Sequence, residues 1–227
     1  MPESLPAIAV LGGTGKEGKG LAYRWARAGY PVVIGSRTPE KAQAAVAAIA
    51  ARLAEAPHTP AKLEGSDNLS AARQADILVL TVPYAAHRAT LESIRDAAQG
   101  KLLIDVTVPL VPPKVTKVQM PPAGSAAQEA HQILGDGVEV VDAFQNISHE
   151  HLFADRSIDC DVLVAGTSKS ARQRALELVQ AAGMTGWDAG PLENAVVVEG
   201  LTSLLIYINK QYGASSAGIR ITGASPT

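Results

Sequence analysis

The feature that most constrains the fold is a glycine-rich stretch at residues 12–20. It follows an apolar run at residues 7–11 that has the composition of a buried strand, and a helical pattern of apolar residues follows it. Gly13, Gly15 and Gly18 have the spacing G-x-G-x-x-G. Glycines at this spacing allow a tight turn, close approach of the backbone to a diphosphate, and close helix packing. The stretch predicts a strand–turn–helix unit whose helix N-terminus binds the diphosphate of a dinucleotide.

The same residues contain most of a second phosphate-binding motif. Gly13, Gly18 and Lys19 match the first part of the G-x-x-x-x-G-K-[ST] loop that binds nucleoside triphosphates. That loop next requires a serine or threonine, whose hydroxyl binds magnesium, and this chain has Gly20 there. The dinucleotide interpretation therefore has the better support, with the triphosphate loop as the alternative.

Strand and helix patterns alternate along the first two thirds of the chain. Strands are predicted at residues 31–35, 75–82, 101–106 and 138–141, helices at 39–54, 85–98 and 125–134, and loops at 57–60 and 108–124. The run at 75–82 is almost continuously apolar, as expected of a parallel strand covered on both faces. The alternation indicates an α/β fold, a doubly wound parallel sheet of the Rossmann type.

The end of the second predicted strand indicates which dinucleotide binds. Proteins that bind NAD carry Asp or Glu about 20 residues after the glycine motif, where it accepts hydrogen bonds from the ribose. This chain has Ser36 and Arg37 there, a hydroxyl and a planar guanidinium that suit a 2′-phosphate. Lys41 adds a second positive charge one helical turn later, and Thr14 can reach the same phosphate. We therefore predict NADP in preference to NAD.

The pattern changes after residue 145. A strand is predicted at residues 162–165, a helix at 168–182, an extended stretch at 184–188 and a long apolar helix at 193–212. We interpret residues 1–145 as the NADP-binding Rossmann domain and residues 146–227 as a smaller C-terminal lobe that completes a substrate cleft. Because the long helix is apolar on more than one face, it is predicted to form contacts in a homodimer.

Charge and hydropathy restrict the class of partner. The formal net charge of −2 argues against a nucleic-acid partner. The apolar stretch at residues 195–208 is interrupted by polar residues and is too short to span a bilayer, and the start of the chain has no signal-peptide pattern. These features predict a cytoplasmic protein with no membrane partner. The single cysteine, Cys160, excludes an internal disulfide and is interpreted as a small buried hydrophobe.

With these residues placed, the chain resembles the NADPH-dependent reductases of the 8-hydroxy-5-deazaflavin coenzyme F-420 (F420). The resemblance runs nearly end to end. The matching segments are residues 12–21, 33–37, 82–84 with His87, 124–128, Thr167 within 162–167, 190–194, and Glu199-x-Leu201-Thr202. The first two segments also suit the reductase domains of membrane metalloreductases, whereas the late segments are more discriminating.

The resemblance implies a site with two parts. The NADP part comprises Gly13, Thr14, Gly15, Lys16, Glu17 and Gly18 for the diphosphate, and Ser36, Arg37 and Lys41 for the 2′-phosphate. The part beside the nicotinamide and the deazaflavin comprises Val82, Pro83, Tyr84, His87, Val108, Gln145 and Asn146. These residues fall in or beside three segments of the chain, which we call the acceptor segments: residues 82–84, 107–109 and 144–146. Each acceptor segment follows a predicted strand, so we expect them to converge where the sheet reverses its strand order.

Three departures from the family leave the acceptor open. This chain has Tyr84 where relatives commonly have Trp, Val108 where they have Asn, and Gln145 with Asn146 where they have histidine. Reduction of another acceptor, such as a flavin or a ferric chelate, and a module that senses NADP without turnover are the alternatives.

The chemistry predicted for this site needs no protein acid or base. The two cofactors carry the hydride, and the protein supplies alignment and exclusion of water. We therefore assign no catalytic residue. His87 is interpreted as structural, with orientation of a ring or assistance by proton transfer as the alternatives. His149 and His151 lack the further ligands that a metal site requires, so no metal is predicted.

Overall fold

The computed structural model describes residues 5–55 and 62–225. The loop predicted at residues 57–60 lies outside the described residues. Within the described residues, eight strands form one sheet. They are β1 (Ile8–Leu11), β2 (Val32–Ser36), β3 (Leu63–Asp67), β4 (Ile77–Leu80), β5 (Leu102–Asp105), β6 (Glu139–Asp142), β7 (Asp161–Gly166) and β8 (Thr185–Pro191).

The helices follow the strands in alternation. They are α1 (Lys16–Arg27), α2 (Pro39–Leu53), α3 (Asn68–Gln74), α4 (Tyr84–Ala98), α5 (Ala126–Leu134), α6 (His149–Leu152), α7 (Lys169–Ala181) and α8 (Ala195–Tyr212), with a 3-10 turn at Leu192–Asn194 before α8. Pro39 begins α2 directly after Thr38, as the sequence predicts, and Ser125 caps α5 by accepting from the Gln128 backbone N–H.

The strand order is β3-β2-β1-β4-β5-β6-β7-β8. Strands β1 to β6 pair in parallel, and β1 lies between β2 and β4, so the order reverses at β1 and β4. The prediction of a doubly wound α/β sheet is confirmed. The structure adds that β7 pairs with β6 antiparallel, while β8 pairs with β7 in parallel.

Two apolar layers cover the sheet because successive strand residues point to opposite faces. Ile8 and Val10 pack with residues of α1, α2 and α7 on one face. Ala9 and Leu11 pack with residues of α3, α4 and α5 on the other. The boundary predicted at residue 145 stays a prediction, since β7 and β8 continue the same sheet.

The sequence analysis missed β3 and α3. All five residues of β3 are only half-buried, because this strand lies at the edge of the sheet. An edge strand with one large apolar residue, Leu63, lacks the apolar run that marked the central strands. The following helix α3 has seven residues and begins at Asn68, with Asp67 accepting from the Ser70 N–H as its cap.

The last helix, α8, exposes several large apolar side chains, among them Val196, Val197, Leu204 and Tyr207. Among the described residues, no helix combines the length and the apolar character needed to cross a membrane.

Candidate functional site

The glycine turn joins β1 to α1 at the point where the strand order of the sheet reverses. Gly12 has a φ of 73°, which favours glycine. A Cβ on Gly18 would lie 2.4 Å from the Thr81 Oγ1 and 2.8 Å from the Gly13 Cα, so α1 packs closely against β1 and β4. A Cβ on Gly15 would meet only the Gly12 carbonyl oxygen, at 3.8 Å. No side chain caps α1, so its first N–H groups remain available to an anion.

Asn68 contacts the glycine turn, and the sequence analysis missed it. Its Oδ1 accepts a hydrogen bond from the Gly12 N–H at 3.2 Å. The same oxygen would lie 2.8 Å from a Cβ on Gly35, so Asn68 lies against the ends of both β1 and β2. Asn68 therefore ties the glycine turn to the end of β2. The only available signal was its place after the unpredicted β3.

The end of β2 carries the residues predicted to bind the 2′-phosphate. Ser36 is buried, and its Oγ accepts from the Thr38 N–H at 3.2 Å. Arg37 and Lys41 are exposed, and within residues 5–55 and 62–225 the structure records no hydrogen bond or ion pair for either side chain. Asp67 pairs with Ser36 in register, but its carboxylate is engaged by the Ser70 N–H. Two cationic side chains are therefore available to a phosphate at this edge.

Glu17, one of the residues predicted to hold the diphosphate, brings a carboxyl to the glycine turn. It lies in the first turn of α1 and is half-buried. Burial raises the pKa of Glu17 from its ordinary value of 4.5 to about 8. A carboxyl with a raised pKa is mostly protonated at pH 7, so Glu17 would add little negative charge to a turn that held a diphosphate.

We expect NADP affinity to fall by about three- to tenfold between pH 7 and pH 9, and Glu17→Gln to remove most of that fall. Because the pKa is raised, Glu17 is neutral below about pH 8 and ionises above it, where its charge repels the diphosphate. The amide stays neutral throughout. Titration calorimetry with NADP at both pH values measures the effect. Equal falls in the wild type and the variant would contradict it.

The structure brings the three acceptor segments to one edge of the sheet. They follow the carboxyl ends of β4, β5 and β6, which are neighbours in the sheet. The Thr107 Oγ1 donates to the Val82 carbonyl at 3.4 Å and links the first two segments. Pro83 is exposed, and Val82, Tyr84 and Val108 are half-buried. These four residues can therefore form the walls of a slot.

Tyr84 is held by an acidic residue of α5. Its hydroxyl donates to the Glu129 Oε2 at 3.0 Å, and the Arg88 guanidinium donates to the Glu129 Oε1 at 2.5 Å. Burial, and then the hydrogen bond to Glu129, raise the pKa of Tyr84 to about 12. Tyr84 is therefore a neutral phenol with a fixed orientation.

His87 lies beneath the acceptor segments and has no exposed surface. Its Nε2 is 2.6 Å from the Asp105 Oδ2, and its Nδ1 is 3.7 Å from the Glu129 Oε2. Burial lowers the pKa of His87, but the neighbouring acids outweigh this effect and the net shift is upward. In this structure His87 supports Asp105, and it would influence a cofactor through that residue.

Gln145 and Asn146 are also buried. The Gln145 Nε2 donates to the Asp105 carbonyl at 2.7 Å and to the Asp142 Oδ1. The Gln145 Oε1 is buried without a hydrogen-bond partner among the described residues. The Asn146 Oδ1 is 3.5 Å from the Thr202 Oγ1. Their side chains thus brace the third acceptor segment from inside.

The sequence analysis gave no role to a set of buried acids beneath this edge. Asp105, Asp142 and Glu199 have no exposed surface, although they come from three separate elements. Polar residues inside apolar strands and helices carry no sequence signal of mutual contact, so only the fold reveals them.

Three features are typical of a Rossmann-type protein of the NADP-binding class: the doubly wound sheet, the uncapped helix N-terminus at the reversal, and the cationic side chains after β2. Residues 7–109 match the family described as "NADP oxidoreductase coenzyme F420-dependent". The chain is 44% identical over 222 residues to the F420-dependent NADP reductase of Methanothermobacter marburgensis, across 95% of this chain and 97% of that protein. This protein belongs to the family of F420-dependent NADP reductases.

Two further comparisons agree over the full length. The F420-dependent NADP reductase of Methanocaldococcus jannaschii is 37% identical over 220 residues, which cover 95% of this chain and 97% of that protein. A crystal structure from Arthrobacter sp. FB24 superposes with a TM-score of 0.76 at 25% identity, covering 96% of this chain and 99% of that one. The resemblance read from the sequence is therefore confirmed.

Proposed function

We propose that this protein transfers a hydride between NADP(H) and F420. The observation that carries the proposal is the sequence identity of 44% and 37% with two F420-dependent NADP reductases over 95% of this chain. In the direction that reduces F420, NADPH, oxidised F420 and one proton give NADP⁺ and reduced F420. The glycine turn and the acceptor segments lie at the same edge of the sheet, which supports a slot where the two rings stack.

The proposed roles follow from the positions of the residues. Residues 13–18 hold the diphosphate with backbone N–H groups, and Ser36, Arg37 and Lys41 hold the 2′-phosphate. Val82, Pro83, Tyr84 and Val108 form the walls beside the two rings, while His87, Gln145 and Asn146 support them from below. The C-terminal segment, residues 146–227, completes the cleft, since Thr202 of α8 contacts the Gln145 carbonyl. The protein aligns the cofactors and excludes water, and no side chain is assigned a proton-transfer step.

Mixing the purified protein with NADPH and oxidised F420 tests this function. We expect loss of the deazaflavin absorbance with matching oxidation of NADPH. Parallel reactions with a free flavin and with a ferric chelate test the other acceptors. Oxidation of NADPH by one of these and not by F420 would overturn the proposal, and tight NADPH binding without any turnover would favour a sensing module.

The exposed side of α8 supports a homodimer. Val197 and Tyr207 are 61% and 51% exposed, and with Val196 and Leu204 they leave four large apolar side chains of one helix in contact with water. A second copy covering this helix would remove them from water. Light scattering at micromolar concentration should give twice the chain mass, and a monomer would contradict the proposal. We also propose a cytoplasmic location, where NADP(H) is available, which cell fractionation tests.

A further inference from the structure

We propose that Glu199 and Thr202 of α8 are positioning residues that hold the second and third acceptor segments in place and thereby control the use of the acceptor. The inference rests on the proposed function. The two residues are three positions apart on one helix, so their side chains share a face. Both belong to the late segment that sets this family apart in the sequence.

Glu199 fixes the helix that follows the second acceptor segment. Its Oε2 accepts from the Ala126 N–H at 2.8 Å and its Oε1 accepts from the Ala127 N–H at 3.0 Å. These N–H groups lie in the first turn of α5, where the helix itself offers them no partner. The Glu199 carboxyl has no exposed surface, so water cannot replace it. It thus anchors the end of the long loop that begins at Val108.

Thr202 fixes the third acceptor segment. Its hydroxyl donates to the Gln145 carbonyl at 2.9 Å. The preceding residue, Phe144, has a φ of 76°, a left-handed conformation that costs energy in a residue other than glycine. Contacts made by the next residue, Gln145, help to hold this strained backbone. Thr202 supplies one, and the donation from the Gln145 Nε2 to the Asp105 carbonyl at 2.7 Å supplies another.

A shared proton links Glu199 to Asp142, the last residue of β6, just before the third acceptor segment. The side chains of Asp142 and Glu199 are within hydrogen-bonding reach of each other, and both are fully buried. Two carboxylates in contact inside a protein cannot both be ionised. The two N–H groups favour a charged Glu199, and the Asp142 Oδ2 has no other partner among the described residues, so the proton lies on Asp142. Asp142 then donates to Glu199.

The surrounding charges set when this proton is lost. Burial, followed by the charges of Glu199 and Asp105, raises the pKa of Asp142 well above its ordinary range. Burial likewise raises the pKa of Glu199, and the hydrogen bonds from the Ala126 and Ala127 N–H groups oppose that rise. Because the pKa of Asp142 is raised, the pair keeps its proton at neutral pH and loses it only in alkaline solution. Among the described residues, the other ionisable groups around this buried cluster are His87, Asp105, Glu129, Tyr84 and Arg88.

Steady-state kinetics at saturating NADPH test the anchors. We expect Glu199→Gln to raise the KM for F420 by about tenfold, because its amide group cannot accept from both N–H groups. We expect Thr202→Val to raise it by about three- to tenfold and Thr202→Ser, which keeps the hydroxyl, to restore it. NADP affinity should stay within about twofold in every variant, since neither residue touches the glycine turn. Glu193→Gln, an exposed carboxyl just before α8, is the matched control.

The pH profile tests the shared proton. At saturating NADPH, the KM for F420 should rise in the wild type as the pH is raised from about 7 to about 10, because the raised pKa of Asp142 places the loss of its proton in alkaline solution. Asp142→Asn should flatten that rise, because an amide reproduces the donor and acceptor of a neutral aspartic acid. If Asp142→Asn raises the KM for F420 at pH 7 as much as Glu199→Gln does, Asp142 is ionised in the wild type and the proposal of a shared proton is wrong.

Hydrogen exchange provides a readout that needs no F420. In Glu199→Gln and Thr202→Val, residues 108–127 and 143–148 should lose protection while residues 12–20 keep it. If the wild type does not turn over F420 but these changes occur, the proposed function fails and the positioning role stands. If protection is unchanged, or if NADP affinity falls as much as F420 use, the positioning role is overturned. Should Glu199→Gln not fold, the Thr202→Val and Thr202→Ser pair decides.

Discussion

Gly18→Ala is expected to lower NADP affinity by about a hundredfold or more and to destabilise the protein by about 1–3 kcal/mol. The added Cβ would lie 2.4 Å from the Thr81 Oγ1 and 2.8 Å from the Gly13 Cα. The Thr81 hydroxyl already donates to the Leu11 carbonyl at 3.0 Å, so it cannot move away without breaking that bond. Helix α1 must therefore shift off the sheet and carry its N–H groups away from the diphosphate. Thermal unfolding and titration calorimetry measure the two effects.

Gly15→Ala is the matched control, because it separates packing from binding. Gly15 has a φ of −69°, which alanine adopts freely, and its Cβ would meet one atom at an ordinary 3.8 Å. We expect the melting temperature to stay near that of the wild type. NADP affinity should still fall, because the new methyl group lies at the uncapped start of α1. A loss of stability as large as that of Gly18→Ala would show that close helix packing is not the reason for glycine at position 18.

Arg37→Asp should weaken NADP binding by about a hundredfold while leaving NAD binding equal or stronger. The substitution removes one charge-assisted phosphate contact of about 1.5–3 kcal/mol, adds repulsion, and supplies the carboxylate that accepts from a free ribose. Because Arg37 is exposed and its side chain has no hydrogen bond or ion pair with the residues that the structure describes, stability should change by no more than about 0.5 kcal/mol. Paired titrations with NADP and NAD measure the reversal.

Arg95→Asp makes the same charge change at an exposed position on α4 and is the control for long-range electrostatics. It should alter NADP affinity by less than about twofold, because solvent screens charges that lie far apart. If Arg37→Asp has no larger effect than Arg95→Asp, the 2′-phosphate does not bind at the end of β2.

The structure shows the surroundings of the four residues that depart from the family pattern, Tyr84, Val108, Gln145 and Asn146. The last two are buried, and Gln145 braces Asp105 and Asp142 beneath the acceptor edge. A polar amide at position 145 can satisfy both groups at once, because its nitrogen has two N–H donors. Tyr84 and Val108 are the half-buried positions, so they are the ones that a different acceptor would contact.

The sequence by itself determined the strand–turn–helix unit, the alternation of strands and helices, and the chemistry after β2. Each of these is local. The glycines at 13, 15 and 18 specify a turn within six residues, an apolar run specifies a covered strand, and Arg37 follows its strand directly. Such features depend on neighbours along the chain, so they can be read without knowing which elements meet in space.

Only the tertiary structure decided what lies beneath the acceptor edge. Asp105, Asp142 and Glu199 are up to 94 positions apart in the chain, yet they share one buried cluster because β5 and β6 are neighbours and α8 returns to their carboxyl ends. The tertiary structure also decided three other features: the edge strand β3, the placement of Asn68 on the glycine turn and the antiparallel direction of β7. An apolar run fits a strand of either direction, and a charged residue is ordinarily exposed. Burial and pairing between distant elements are therefore properties of the packed fold and leave no pattern in the chain.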